Sequence, residues 1–366
     1  MTSNNGQRFS PENSGEERKY NLKIKNKIIW TVVFLLIAVG TIWAVTTQSK
    51  DFSLGEFFEF VGSASPLWIT AALLSMLGFI VFEAAAIASI CRSFGHRTGV
   101  FNELSYSASD IYFSAITPSA SGGQPACGYF MVKDGIPFSL MTVALVSNLA
   151  MYTLSIICIG LVCLILRPAL IYCFNTVSIV LIFVGLGAQV LLFSGFMLLL
   201  TKERWLKKIM DGFIGFLAKI RILKHPDKYH EKVDKLITEY RMCSKQIRGH
   251  MKMFGTVFVF NLLQRTAQIA TTMFTFLATG GDPAKAFDIF ALQSYVVLGT
   301  NCMPVPGAIG ITDYFMLDAF ESIMDNSLAV KLELLSRSLS FYVCIFICGI
   351  IAVVKYIVQS RRRNTL

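Results

Sequence analysis

The stretch Thr117-Pro118-Ser119-Ala120-Ser121-Gly122-Gly123-Gln124-Pro125 gathers hydroxyls, a side-chain amide and a glycine pair between two prolines. Proline stops or opens a helix, and glycine tolerates positive φ. The spacing predicts helices ending at Pro118 and Pro125, with Gly122 and Gly123 at positive φ turning backbone amides outward. Ser119, Ser121, Gln124 and a helix N-terminus would then converge, which suits a phosphate or carboxylate oxygen. A second stretch, Pro304-Val305-Pro306-Gly307-Ala308-Ile309-Gly310-Ile311-Thr312-Asp313, has the same grammar. Gly307 marks its turn, and Thr312 or Asp313 is placed either to cap the next helix or to join the binding site.

Three ionisable residues stand inside apolar runs. Arg265 is central in 253–278, and Asn261, Gln264, Arg265, Gln268 and Thr272 follow helical spacing, so that run carries one polar stripe. Glu83 lies deep in 66–91, before three alanines that allow close helix approach. Asp110 precedes the first glycine turn. Ionisable groups in hydrocarbon face a bundle interior or a wet path. Arg265 therefore reads as an anion holder or as the structural partner of Glu83 or Asp110. Either carboxylate equally reads as a proton carrier.

The elements that position these residues follow from composition. Of 366 residues, 54% are hydrophobic and only 15% charged, and the mean hydropathy is +0.58. Soluble domains carry roughly a quarter of their residues charged, so this is an integral membrane protein. A spanning helix needs about 20 apolar residues, and 28–47, 66–91, 138–166, 171–200, 253–278 and 335–358 qualify. The fold class expected is all-α, with about six spans arranged as inverted repeats. The two Pro/Gly stretches would add re-entrant broken-helix hairpins, one entering from each side, because irregular backbone at membrane depth must be buried in protein or line a cavity.

Charge gives the orientation. Residues 1–27 carry six Lys/Arg against three acids, 202–252 carry fourteen against six, and 355–366 carry four with none. Positive segments mark the cytoplasmic side, so both termini and the central loop face inward, as six spans require. The organisation expected is a disordered tail at 1–27, a membrane half at 28–201 with its motif at 117–125, a basic loop at 202–252, a second half at 253–358 with its motif at 301–313, and a tail at 359–366. Within the loop, Val233, Leu236, Ile237, Tyr240, Cys243 and Ile247 share one helical face, giving an amphipathic helix over 232–248 for the lipid surface.

Several functions are set aside. The nine cysteines and four histidines show no zinc spacing, so no metal is expected, nor any other cofactor. No GxxxxGK[ST] loop is present, which argues against direct ATP use. The positive-inside pattern accounts for the basic excess without nucleic acid.

The two motifs carry a family resemblance. TPSASGGQP, with Tyr129 and Lys133-Asp134-Gly135-Ile136 after it, resembles the first signature of the lysylphosphatidylglycerol synthase transmembrane family. That family includes the flippase portion of the multiple peptide resistance factor. PVPGAIGITD resembles the second signature, with Ala308 where a second Gly is common and Asp313 where Glu is common. The resemblance covers roughly 25–360 and implies lipid translocation in a bacterial inner membrane. Two-part members join the flippase to a cytoplasmic domain that transfers lysine onto phosphatidylglycerol. The chain runs to Leu366 just after its last span, so a stand-alone member is expected, with no catalytic residues.

The leading reading is a flippase for a phospholipid, with lysyl-phosphatidylglycerol among the candidates, or for a polyprenyl-phosphate-linked lipid. The head group would contact Ser119, Ser121, Gly122, Gly123, Gln124, Arg265, Gln268, Gly307, Thr312 and Asp313. Glu83 and Asp110 would be the midplane charge partners. The rivals are a membrane transferase of the family name, tied to cationic peptide resistance, and a scaffold for a separate synthase. Expected partners are membrane lipids, with a lipid-modifying synthase and a second copy of the chain as further candidates. Cysteine tags near Gln7, His225 and Asn364 should be labelled from the cytoplasm and one near Gly281 from outside; an exterior central loop would reverse the orientation.

Overall fold

Pro66 opens a 28-residue helix, a position where its missing N–H costs nothing. The helix ends at a turn where Gly95, at φ +80°, donates to Arg92 and His96 donates to Cys91. This computed structural model describes residues 62–117, 120–201, 251–303, 305–308 and 310–364, with Glu59, Lys208 and Gly212 as isolated positions. The expected span at 28–47, the N-terminal tail, the amphipathic stretch 232–248 and Ser119 lie outside the described residues.

Among the described residues, ten α-helices follow in order: α1 (Pro66–Ser93), α2 (Val100–Ile116), α3 (Gly123–Lys133), α4 (Phe138–Leu166), α5 (Thr176–Thr201), α6 (Met251–Ala278), α7 (Ala286–Thr300), α8 (Ile311–Phe320), α9 (Asn326–Arg337) and α10 (Cys344–Asn364). No strand occurs among the described residues, so the fold is all-helical. Among the described residues, four stretches are long and apolar enough to cross a membrane: Pro66–Ser93, Phe138–Leu166, Thr176–Leu200 and Leu328–Arg361. The last is continuous because a wide π turn, Ser338–Val343, joins α9 to α10. The expected span at 171–200 begins instead at Thr176, since Pro168–Cys173 forms a tight 3₁₀ turn. At 28 residues α6 is long enough, but its polar stripe dilutes its apolar character.

α1 and α6 pack antiparallel. Ser65 N–H donates to the Ala278 carbonyl, Ser75 Oγ to Ala267, and Gln264 to Glu83, so rising numbers on one helix meet falling numbers on the other. Two apolar cores form along this pair and α4. One gathers Ile87, Tyr106, Met131, Leu140 and Val257; the other gathers Ile269, Ile289, Leu292, Tyr295 and Phe315. Between them, α6 presents Asn261, Gln264, Arg265 and Gln268, and α4 presents Tyr152. Burial of apolar side chains on both sides fixes the height of this polar belt.

α2 and α3 form a helical hairpin whose open end is locked. Asp134 accepts from Tyr106 Oη at 2.7 Å, Lys355 Nζ at 2.6 Å and Gln359 Nε2 at 2.8 Å, tying α2, the end of α3 and α10 together. α7 and α8 form a second broken pair. There the α4–α5 connection holds the base: Arg167 pairs with Asp288 at 2.8 Å, and Asn175 Nδ2 donates to Asp318 at 3.0 Å. The two hairpins start from opposite ends of α4, and their tips meet. Lys355 is buried with Asp134 as its carboxylate. Asp134→Ala should therefore cost about 3–5 kcal/mol by stranding a buried ammonium. A lowered thermal midpoint in detergent, partly restored by adding Lys355→Met, checks this.

Candidate functional site

The hairpin tips and the polar belt enclose a cavity of about 470 Å³. Its walls include Glu83 from α1, Asp110 and Ser114 from α2, Gln124 from α3, and Tyr152 from α4. Gln264, Arg265 and Gln268 come from α6, and Asn301, Gly307, Ala308 and Thr312 from the second motif. The volume falls in the range of small-ligand pockets.

Arg265 is 5% exposed, yet among the described residues no ion pair joins it to Glu83, Asp110 or any other carboxylate. Its guanidinium lies 3.7 Å from the centre of the Tyr152 ring and 5.5 Å from that of Phe79, and Nη1 donates to Gln268. Its Nε has no partner. Cation–π contact offsets part of the desolvation, but a buried guanidinium with a free donor is built to meet an anion. Tyr152 passes the arrangement on, because its hydroxyl donates to Asn301 Oδ1 at 2.8 Å, where the second motif begins.

Glu83 and Asp110 are both buried and line the same cavity as a carboxyl pair. Gln264 Nε2 donates to Glu83 at 3.1 Å, Ser107 Oγ to Glu83 at 3.3 Å, and Gln124 Nε2 to Asp110 at 2.6 Å. Gln124 thus docks the tip of the first hairpin onto the carboxyl pair, while its Oε1 stays unpartnered.

The glycine pair works differently from the sequence expectation. Gly122 has φ −83° and Gly123 opens α3, so neither needs positive φ; Ala120, at +53°, makes the left-handed step. Gly122 N–H donates to Thr117 Oγ1 at 2.8 Å and so faces its own turn. Pro125 begins α3 rather than ending a helix, since its missing N–H is harmless in the first turn. Gly123 is required by contact: a Cβ there would lie 2.0 Å from Ser114 Oγ and 2.1 Å from Asp110 Oδ1. Ser121 is exposed and does not line the cavity.

The second tip is a 3₁₀ turn, Pro306–Ala308, with Gly307 at φ +58°, Ala308 at +49° and Gly310 at +79°. Gly307 meets the other hairpin, its Cβ direction pointing 3.3 Å from the Ala115 carbonyl and 2.2 Å from the Phe341 ring. Thr312 lines the cavity. Asp313 does not; its Oδ2 accepts Gly310 N–H at 2.9 Å and its Oδ1 lies 2.7 Å from Arg337 Nε. Glu333 is buried and in hydrogen-bonding contact with Asp313. This second acid pair with an arginine holds the turn.

Several wall residues escape a motif-led reading. Gln189, fully buried, has neither amide atom partnered; Gln293 Oε1 and Arg337 Nη2 are likewise unpartnered and face the cavity. A lone glutamine in the apolar run 176–201 was the available signal. Tyr152 gave none, since an aromatic residue in an apolar helix looks like packing. Gly123→Val should unfold the first tip or expel Asp110, lowering the thermal midpoint and ligand movement together. Gly307→Val should do the same through the Phe341 clash and its backbone strain, about 1–3 kcal/mol. Gln124→Ala should leave the fold intact in a thermal melt, because it removes a contact and no backbone is strained.

No curated protein and no solved structure matches the chain. The model of the lysylphosphatidylglycerol synthase TM region matches residues 29–348, a range that holds both tips, the carboxyl pair and Arg265. The chain belongs to that family.

Proposed function

We propose that this protein moves an anionic phospholipid, or a polyprenyl-phosphate lipid, between the leaflets of a bacterial inner membrane. Membership in the family is consistent with a membrane lipid-related role. The observation that carries the finer reading is Arg265: a guanidinium buried in a cavity of an apolar helical protein, stacked on Tyr152, with a free Nε and no carboxylate paired with it among the described residues. A phosphate supplies the missing partner in a form a guanidinium prefers. The head group sits beside Arg265 and Gln268, with Gln124, Thr312 and Gly307 on the surrounding wall. Lysyl-phosphatidylglycerol presents the same phosphate, although its lysyl group makes the whole head group cationic.

In this reading the hairpins of α2–α3 and α7–α8 are re-entrant, one from each side, and their tips divide the path near the midplane. Both termini face the cytoplasm. The acyl chains stay in the bilayer while the head group crosses the polar belt, where each desolvated contact replaces one with water.

In vesicles of phosphatidylcholine, the reconstituted protein should expose fluorescent phosphatidylglycerol of the inner leaflet to an external quencher. Arg265→Ala should slow this roughly 10- to 100-fold, the loss of one charge-assisted contact of about 1.5–3 kcal/mol. Arg265→Lys should recover little, because an ammonium neither stacks flat on Tyr152 nor bonds phosphate bidentately. Normal movement by Arg265→Ala would remove the head group from this site.

A further inference from the structure

The cavity's carboxyl pair has a chemical requirement that lipid binding alone does not use. Two carboxyls buried in one cavity cannot both stay ionised without a cation in contact. Glu83 and Asp110 line the same cavity, and both are at least nine-tenths buried. Their oxygens are met by donors that cannot neutralise charge: Gln264, Ser107, Gln124 and Ser114. The charged or titratable groups facing the pair are Arg265 on α6, Tyr152 on α4, Cys127 on α3 and Cys348 on α10. Arg265 is the one permanent cation among them.

Two further features show that the pair lines a ligand site. The Nε of Arg265 is unpartnered, and Gln189, fully buried across the same cavity, has both amide atoms unpartnered. The other acid pair, Asp313 with Glu333, is tied to Arg337 and to the Gly310 amide and does not line the cavity. It is a brace, and Glu83–Asp110 is the pair that a ligand meets.

We propose that the Glu83–Asp110 pair, which shares one proton when the cavity is empty, takes up a second with each anionic head group bound at Arg265, so that lipid and proton cross together. The inference rests on the lipid-translocation reading above. Its sign follows from electrostatics. When a phosphate pairs with Arg265, it screens the cation from the carboxyls and adds a negative charge beside them. Both effects favour the protonated pair, and by reciprocity a bound proton favours the phosphate. One proton with one monoanionic lipid is electroneutral, so the loaded cavity crosses without opposing or exploiting the membrane potential. The empty cavity returns with the pair sharing one proton and Arg265 balancing its remaining charge.

The test uses the full-length protein in phosphatidylcholine vesicles with a trace of fluorescent phosphatidylglycerol and an entrapped pH dye. With one pH unit across the bilayer, lipid should accumulate about tenfold in the leaflet facing the alkaline side, the ratio that one-to-one coupling sets. The dye should report proton entry with inward lipid movement. A potassium diffusion potential without a pH difference should leave the lipid evenly distributed. An even distribution in a pH gradient, with lipid still moving, overturns the coupling and leaves translocation standing. Displacement by the potential alone also overturns it. No lipid movement under any gradient overturns both readings.

Two further measurements locate the proton. The wild-type protein in detergent and weak buffer should take up protons when dihexanoyl-phosphatidylglycerol is added; binding without uptake overturns the proposal, and no mutant need fold. The double variant Glu83→Gln with Asp110→Asn should lose the proton signal and the tenfold asymmetry. A proton signal that persists in it overturns the assignment to this pair.

Discussion

Everything in the polar belt depends on one buried cation held by an aromatic face. Arg265 lies against Tyr152 without a carboxylate in contact, in surroundings where an unneutralised charge is expensive. The belt is organised to make that tolerable. Gln268 accepts from the guanidinium, Tyr152 supplies its π face, and the hydroxyl of the same tyrosine anchors Asn301. The cation is thereby linked through one side chain to the tip of the second hairpin, while the carboxyl pair links the same cavity through Gln124 to the tip of the first.

The hairpins show how short helices bring irregular backbone to the cavity. Neither tip keeps continuous helical hydrogen bonding, so each needs protein around it. The first is fitted under Asp110 by the missing side chain of Gly123; the second is fitted against Ala115 and Phe341 by Gly307. Each base is locked by charge, at Asp134–Lys355 and at Arg167–Asp288. Rigid bases with close-fitting tips confine any local rearrangement to the cavity wall.

Much of the framework was legible from residue types. The apolar runs give the long helices, the polar stripe on 253–278 gives the cavity-facing side of α6, and the Pro/Gly stretches give the two breaks. The mechanism at the breaks was not legible. Gly122 and Gly123 invite a positive-φ reading, but Ala120 takes that conformation, and Gly123 answers to a contact with Asp110, thirteen residues away in sequence yet on another helix. Asp313 invites a binding role, while the structure turns it toward Arg337 and Gly310, a pairing that depends on the register of α9. Contacts across helices leave no periodic trace in a single chain.

The π turn at Ser338–Val343 has a consequence for sequence length. A π turn accommodates an extra residue relative to α geometry, and each residue of an α-helix adds about 100° of rotation. Deleting one residue there would let the wide turn relax into ordinary helix; α9 and α10 would keep their faces, because the turn had absorbed the extra residue, but the side chains within it would be re-aimed. Phe341, inside the turn, would leave its place beside Gly307. In a 34-residue stretch from Leu328 to Arg361, where lipid-facing positions tolerate exchange of one apolar residue for another, these six positions are constrained in number as well as in kind.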